Sequence, residues 1–359
     1  MTNVFLFILT VPTLLVSFCE RKGAPPVPPP VQERQYVAEG SIYDENGKTL
    51  KQFAGLGAFF DDGSFILARH ERDWLITRFS PVGEVQWERK IYTHHQLNLS
   101  PDKKRVLVLS GEVRKESGKT HNYDTFYVLD AETGKTLAFK SSHDFLKMKL
   151  SVFEHNQYQA DPSLLHTDGV CFHFNSFYEI PQNTAEMANS AFRRGNFVIN
   201  DGLRSFLLIV DKSLQHVLWY EKPLAEGLGF HDVQLLPEGK FLFYRGSNTN
   251  GDKRQTAVFK YDPIAKKSEI IFPENLRDPA VKPFIGYSEK LGSAQQLEDG
   301  YLISHYDSVQ GGMIMLTDKT GRLVKTMFVP SLDKISGKPA AIQQIKQYDL
   351  NSFLKNNRM

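Results

Sequence analysis

The stretch HDVQLLPEG-KFLFY, residues His231–Tyr244, decides the fold of this chain. A second stretch of the same form, GSAQQLEDG-YLISH, occupies Gly292–His305. Each is predicted to form a strand, a tight turn with glycine where positive φ is needed, and a second strand. A hairpin that recurs along a chain indicates a repeat architecture.

Weaker copies of the hairpin occur elsewhere, and most copies continue with a third strand, a polar turn and a fourth strand. Leu75–Phe79 followed by Gly83–Trp87 is one example of the continuation. Four short antiparallel strands in each repeat of roughly 40–60 residues indicate a β-propeller blade. The weaker copies begin at Gly55, His95, His166 and Ala340.

The number of blades follows from these repeats. Five full repeats lie between residues 55 and 330, which leaves the strand-like segments Gly40–Leu50 and 340–354. We expect the two leftover segments to pair as outer and inner strands of a sixth blade, because their pairing would close the ring and hide its edges. The prediction is an all-β fold, a single propeller of six blades, with five or seven as alternatives.

Composition limits the other possibilities. The 359 residues are enough for two average domains, but blades cannot bury their faces alone, so we predict one propeller domain over residues 36–359. The net charge is +2 and no basic run or zinc motif occurs, so nucleic-acid binding is not expected. The absence of phosphate-loop, Cys-x-x-Cys and paired-carboxylate motifs predicts no cofactor and no metal.

The N-terminus has the pattern of an export signal. An apolar run at residues 4–18 precedes Cys19, and a proline-rich stretch follows at residues 25–30. The segment before Cys19 approximates a lipobox, so we predict a signal peptide at residues 1–19, a linker at 20–35 and acylation of Cys19. An exported protein, periplasmic or anchored as a lipoprotein in the outer membrane, would follow. A cleaved signal peptide with an incidental cysteine is the alternative.

The repeats also align candidate functional residues. The first strand of a propeller blade lines the central channel, so equivalent positions near the start of each repeat converge there. Several imidazoles around one channel would bind an anion or move protons near neutral pH, and small residues would leave room for a ligand. Structural hydrogen bonds are the alternative role. The aligned positions are His95, His166, His231, Gly55, Gly292 and Ala340.

These phrases resemble those of the bacterial arylsulfate sulfotransferase family. The similarity rests on His231–Gly239, Gly292–Gly300 and His166–Val170, and on the strand spacing after Gly195. It covers residues 160–330 well and residues 55–150 only as a generic propeller repeat. The resemblance implies an exported six-bladed propeller that moves a sulfuryl group between phenols through a sulfohistidine, without a nucleotide cofactor.

The resemblance also suggests roles for single residues. His305 would be the nucleophile, and His166 and His231 would bind the sulfate oxygens. Arg245 and Arg254 are candidates to stabilise charge on the transferring group, because an arginine fork matches its oxygens. His95 would contribute to ligand binding. The chain departs from the family at Tyr244-Arg245-Gly246, where an Asp-Asn-Gly phrase is usual, and at Gly202, where arginine is common.

Two functions follow as hypotheses. The first is an aryl-sulfate sulfotransferase that uses a phenolic sulfate ester and a phenol acceptor and is attached to a membrane through a lipid anchor. The second is a non-catalytic propeller lipoprotein that binds a protein or a small anionic ligand. An insertion at Tyr178–Arg194 with some helical character is interpreted as either a lid over the channel or a surface decoration.

Overall fold

The computed structural model describes residues 35–38, 41–44, 46–52, 55–69, 74–116, 119–147, 173–202, 205–223, 229–246, 256–273, 292–307, 311–329 and 345–348. Within these ranges the strands form six four-stranded antiparallel sheets, which are the blades of a propeller. The predicted signal peptide, the linker and Cys19 lie outside the described residues, and their assignment stays a prediction.

Each blade after the first follows the chain from its innermost to its outermost strand. The second blade contains β4 (Leu56–Phe59), β5 (Phe65–Arg69), β6 (Leu75–Phe79) and β7 (Val85–Lys90). The third contains β8 (Thr93–Leu99), β9 (Arg105–Glu116), β10 (Lys119–Asp130) and β11 (Thr136–Ser141). The fourth contains β12 (Phe174–Glu179), β13 (Phe197–Asp201), β14 (Phe206–Val210) and β15 (Val217–Glu221).

The fifth blade contains β16 (Phe230–Leu235), β17 (Phe241–Arg245), β18 (Ala257–Asp262) and β19 (Lys267–Phe272). The sixth contains β20 (Gly292–Gln296), β21 (Gly300–Asp307), β22 (Gly311–Asp318) and β23 (Leu323–Val329). The described helices are short: α1 (Ser142–Lys147) and two 3₁₀ turns, Ala185–Met187 and Ser190–Phe192. No helix in the described part of the chain is long and apolar enough to cross a membrane.

The first blade joins the two ends of the propeller domain. It contains β1 (Gln35–Ala38), β2 (Ser41–Tyr43) and β3 (Thr49–Gln52), and its innermost strand is β24 (Ile345–Tyr348). The antiparallel pairing of β1 with β24 therefore closes the ring. The prediction of a six-bladed all-β propeller closed by its terminal strands is confirmed.

The hydrophobic core lies between neighbouring blades. The largest cluster fills the space between the fourth and fifth blades, where Phe192, Trp219, Phe241 and Phe243 pack together. The rings of Trp219 and Phe241 stack with their centroids 5.5 Å apart. Burial of each aromatic side chain stabilises the fold by roughly 1.5–3 kcal/mol, so the blades depend on their neighbours for stability.

The long connection in the fourth blade belongs to this core. It links β12 to β13 and contains the two 3₁₀ turns, so the helical character predicted for the insertion is confirmed. Ala191 and Phe192 are buried in the core cluster, and the amide of Thr184 donates to the carbonyl of Pro237 in the next blade at 3.0 Å. The connection therefore seals the contact between two blades. The alternative of a plain surface decoration is wrong for its buried part.

The pairing of β24 with β1 is expected to carry part of the stability of the whole ring. Removal of residues 345–359 should lower the free energy of unfolding by roughly 2–5 kcal/mol, because it strips the hydrogen-bonded partner from β1. Urea unfolding measures the change. Removal of residues 349–359 alone leaves β24 in place and serves as the control. Equal midpoints for the two truncated proteins would contradict the role of β24.

Candidate functional site

Three consecutive blades have irregular innermost strands. The pairing registers of β8, β12 and β16 with their neighbours each shift within the strand, whereas those of β4 and β20 are regular. In β16 the irregularity lies between His231 and Gln234, and Asp232 adopts a φ of 52°. Bulges of this kind redirect side chains and are common beside functional sites. Here the bulge allows consecutive residues to face different surroundings.

The side chains at the centre of the propeller form a group that we call the channel hub, consisting of Gln96, Asn98, Tyr178, Asp232 and Lys346. They come from the innermost strands of the first, third, fourth and fifth blades. Innermost strands surround the propeller axis, so contacts between non-adjacent blades are made across the channel. The hub therefore lies on the axis.

Asp232 is the acceptor at the centre of the hub. One carboxylate oxygen, Oδ1, accepts hydrogen bonds from the Gln96 amide at 3.0 Å and from the Tyr178 hydroxyl. The other oxygen, Oδ2, accepts from the backbone amide of Ala294 in the sixth blade at 3.2 Å. The side chain is only 1% exposed. Asp232 thus connects three other blades to the fifth.

Lys346 reaches into the same group from the opposite side of the ring. Its ammonium donates to Asn98 Oδ1 at 2.8 Å and lies 4.6 Å from the centre of the Tyr178 ring, a cation–π contact. The Asn98 amide in turn donates to Gln96 Oε1 at 3.0 Å. Lys346 is partly exposed, and its ammonium lies against the side chains of Asn98 and Tyr178.

Burial shifts the ionisation of both charged groups. Burial raises the pKa of Asp232 to about 6, although Lys346 and the hydrogen bonds from Tyr178, Ala294 and Gln96 act to lower it. Burial lowers the pKa of Lys346 to about 8, and the neighbouring Asp232 opposes this shift. Both pKa values are therefore displaced toward neutral pH, and perturbed pKa values are found often at functional sites and also in structural ion-pair networks.

His231 occupies the innermost strand of the fifth blade, as the repeat predicts. It is buried, and its Nε2 atom lies 3.5 Å from the Asn175 side-chain nitrogen. Burial, with a smaller effect of His173, lowers the pKa of His231 to about 3. The imidazole is therefore neutral at physiological pH in the absence of a ligand, and its predicted role in binding sulfate stays a prediction.

His305 lies on the second strand of the sixth blade, opposite Gly292. It is fully buried, and its Nδ1 atom is 2.8 Å from the Tyr244 hydroxyl. Tyr244 is itself the strand partner of His231, so this tyrosine connects the two predicted histidines. The role of Gly292 follows from the same contact, since a Cβ there would lie 2.2 Å from the Tyr244 ring.

Among the remaining predicted site residues, only Arg245 has a side chain within the described part of the structure. The Arg245 guanidinium lies 4.7 Å from the centre of the Phe259 ring, at the end of β17. His95 is on β8, and its side chain lies outside the described residues, as do His166 and Arg254 entirely. The innermost described strand of the fourth blade, β12, begins at Phe174, and the role predicted for His166 stays a prediction.

Sequence reasoning missed most of the channel hub. Asp232 lies inside the stretch that decides the fold, but the sequence predicts a functional role only for the neighbouring residue, His231. Lys346 follows the weakest copy of the repeat, Ala340–Ile345, and an innermost strand there was already expected. A lysine on an innermost strand was the available signal. Among the described residues, no group of three or more histidine, cysteine, aspartate or glutamate side chains forms a candidate metal site.

Comparisons with known proteins find no matching family model and no curated protein of similar sequence. Among solved structures, the chain resembles TolB from Acinetobacter baumannii at 13% identity and a TM-score of 0.40, covering 88% of this chain and 65% of that one. It resembles the dihydro-heme d1 dehydrogenase NirN in complex with DHE at 12% identity and a TM-score of 0.39, covering 84% and 55%.

A third similar structure is the acylaminoacyl peptidase from Pyrococcus horikoshii, at 11% identity and a TM-score of 0.43. It covers 81% of this chain and 41% of that one. The chain thus spans between about two fifths and two thirds of the length of these structures. Their TM-scores are all below 0.5, and the assignment of the propeller fold rests on the six sheets of this chain itself.

The raised pKa of Asp232 should appear in the pH dependence of stability. A carboxyl group whose pKa rises from 3.8 to about 6 on folding stabilises the fold fully below pH 3.8, and this stabilisation is lost as pH rises through about 6. Urea unfolding between pH 4 and 7 should show a loss of at most roughly 3 kcal/mol from this group.

Asp232→Asn removes the titration and keeps the shape of the side chain. The difference in unfolding free energy between the two proteins should therefore change across pH 4–6. The opposing titration of His231 is common to both and cancels. A difference that is constant over this range would show that Asp232 is not perturbed.

Proposed function

We propose that the protein is a ligand-binding propeller whose central channel binds a small anion at Lys346. The observation that carries the proposal is the position of the Lys346 ammonium, which lies on the axis against residues of three other blades. An ammonium group has three donors, and Asn98 accepts one hydrogen bond from it at 2.8 Å.

The surroundings favour an anion that is small and oxygen-rich. Because the hub is buried, charge–charge attraction there is stronger than in water. The donors at this place are the Lys346 ammonium, which donates one of its three N–H groups to Asn98, and the Gln96 side-chain amide, which donates one of its two N–H groups to Asp232. An oxyanion such as sulfate or phosphate fits this set of donors.

Asp232 makes binding depend on pH. Its carboxylate repels an anion when ionised and ceases to do so when protonated near pH 6. Lys346 loses its positive charge above about pH 8. Anion binding is therefore strongest where Lys346 is charged and Asp232 is neutral, which is the range below pH 6.

A second candidate function is sulfuryl transfer through His305. The observation that favours it is the contact between the Tyr244 hydroxyl and His305 Nδ1 at 2.8 Å, because a partner on one ring nitrogen orients the other for attack. In this reaction His305 Nε2 attacks the sulfur of an aryl sulfate, an N–S bond forms, and the S–O bond to the leaving phenolate breaks. A second phenol then attacks the sulfur, the N–S bond breaks, and the phenolic proton passes to the phenolate released first.

The partners and location of the protein belong to the same proposal. A lipid anchor on Cys19 would hold the propeller at a membrane surface, in the periplasm or at the outer membrane. A protein partner is compatible with a binding propeller, and a phenolic sulfate ester with a phenol acceptor is the substrate pair of the catalytic alternative.

Replacement of Lys346 tests the anion site. Lys346→Met should weaken sulfate binding at pH 6 by at least about tenfold, since one charge-assisted hydrogen bond contributes roughly 1.5–3 kcal/mol. Isothermal titration at constant ionic strength measures the affinity, and it should fall between pH 5 and 9 in the unaltered protein. Lys319→Met, at an exposed lysine, is the control. Unchanged affinity in Lys346→Met would exclude this site.

Replacement of His305 tests sulfuryl transfer. Release of 4-nitrophenol from 4-nitrophenyl sulfate, with phenol as acceptor, should be abolished by His305→Gln and reduced by Tyr244→Phe, which removes the orienting hydroxyl. His216→Gln changes an exposed histidine and should retain activity. The absence of turnover by the unaltered protein with any phenolic acceptor would remove this function and leave the anion site untouched.

A further inference from the structure

Two buried asparagine side chains meet at one backbone carbonyl near His231. The side-chain nitrogens of Asn175 and Asn200 both donate to the carbonyl oxygen of Phe230, each at 2.8 Å. This shared acceptor fixes the orientation of both amides, because a reversed amide would place oxygen against oxygen. Asn175 is 3% exposed and Asn200 is fully buried.

The oxygen atoms of the two amides are left without hydrogen-bond partners. Within the described residues and their recorded contacts, neither Asn175 Oδ1 nor Asn200 Oδ1 accepts a hydrogen bond. A buried acceptor without a partner costs roughly 1–3 kcal/mol, so a matched pair beside one carbonyl calls for a missing donor. The pair provides two acceptors at one place in the fold.

Glycine backbone surrounds this place. The Gly229 amide donates to the Gly202 carbonyl at 2.8 Å, and the Gly246 amide donates to the Gly229 carbonyl at 3.2 Å. A Cβ on Gly202 would lie 2.0 Å from the Asn175 side-chain nitrogen. Gly202 therefore lets the backbone approach the Asn175 amide closely, and the two backbone hydrogen bonds join the three glycines next to it.

The charge of the surroundings favours an uncharged donor. The same neighbourhood contains His231, whose Nε2 atom is 3.5 Å from the Asn175 nitrogen, and His173. Burial holds the imidazole of His231 neutral at physiological pH, so a positive charge is disfavoured at this place. A neutral O–H group meets the need of the two oxygens without introducing charge.

We propose that Asn175 and Asn200 bind the hydroxyl groups of a small uncharged ligand, at a site separate from Lys346. Two acceptors require two O–H donors, which a diol or a catechol supplies. An ordered water molecule also carries two O–H donors, so the experiment distinguishes the two sources of the same chemistry.

The probe is catechol, and 1,2-dimethoxybenzene is its matched control because it keeps the ring and both oxygens but has no donor. Catechol should bind the unaltered protein saturably at pH 6 in an isothermal titration, and 1,2-dimethoxybenzene should not. Asn200→Leu should weaken catechol binding at least about tenfold. Asn183→Leu removes a buried asparagine bonded to the Pro181 and Phe192 carbonyls and controls for damage to the fold.

A second measurement needs no variant. The side-chain amide signals of Asn175 and Asn200 should shift in nitrogen–proton correlation spectra as catechol is added, while the signals of Asn183 stay in place. Lys346→Met should leave the catechol affinity unchanged. The hydroxyl site is thereby tested independently of the anion site. Equal binding of both probes, binding unaffected by Asn200→Leu, or a crystal structure grown with catechol that contains only an ordered water would overturn the proposal.

Discussion

The antiparallel pairing of β24 with β1 is the interaction on which the rest of the structure depends. A row of blades has two open edges, and each blade can bury only the face that a neighbour covers. The pairing removes both edges by placing the last strand inside the first blade. The same pairing brings Lys346 to the axis, so closure of the ring adds the lysine to the channel hub.

The channel hub holds two ionisable groups, Asp232 and Lys346, where burial makes their charged forms energetically unfavourable. Removal of a carboxylate and an ammonium from water is unfavourable, and their attraction offsets this only in part, which agrees with the opposite pKa shifts of Asp232 and Lys346. Hydrogen bonds from Gln96 and Tyr178 supply further compensation. Apolar side chains could fill the centre of the propeller with a smaller free-energy penalty of desolvation. The presence of Asp232 and Lys346, which both titrate near neutral pH, therefore agrees with the proposed role in binding.

The sequence predicts the fold further than it predicts the site. Alternation of apolar residues and the position of Gly239, which has a φ of 80°, identify the hairpins, and the two leftover segments identify the closing blade. The bulge at Asp232 leaves no mark in the periodicity, so the different surroundings of His231 and Asp232 could not be foreseen. The contact between Tyr244 and His305 spans two blades and depends on register that no local pattern contains.

The two proposed sites use different chemistry, and each includes residues of β12 and β16. Tyr178 and Asp232 belong to the hub, whereas Asn175 and His231 lie closer to the start of β12 and β16. A bulge in each strand allows this division, because it changes which side chains face the axis. We therefore propose that the propeller holds a charged group of a ligand on the axis and separately binds uncharged hydroxyl groups near the start of β12 and β16.

The proposed function depends on Lys346 being a perturbed, anion-binding lysine on the propeller axis. A carbon-detected NMR titration of the Lys346 side chain with and without sulfate measures this. We expect a pKa near 8 in the free protein and a higher value with sulfate, because a bound anion stabilises the protonated form. A pKa near the ordinary value of 10.5 that does not respond to sulfate would exclude this role of Lys346.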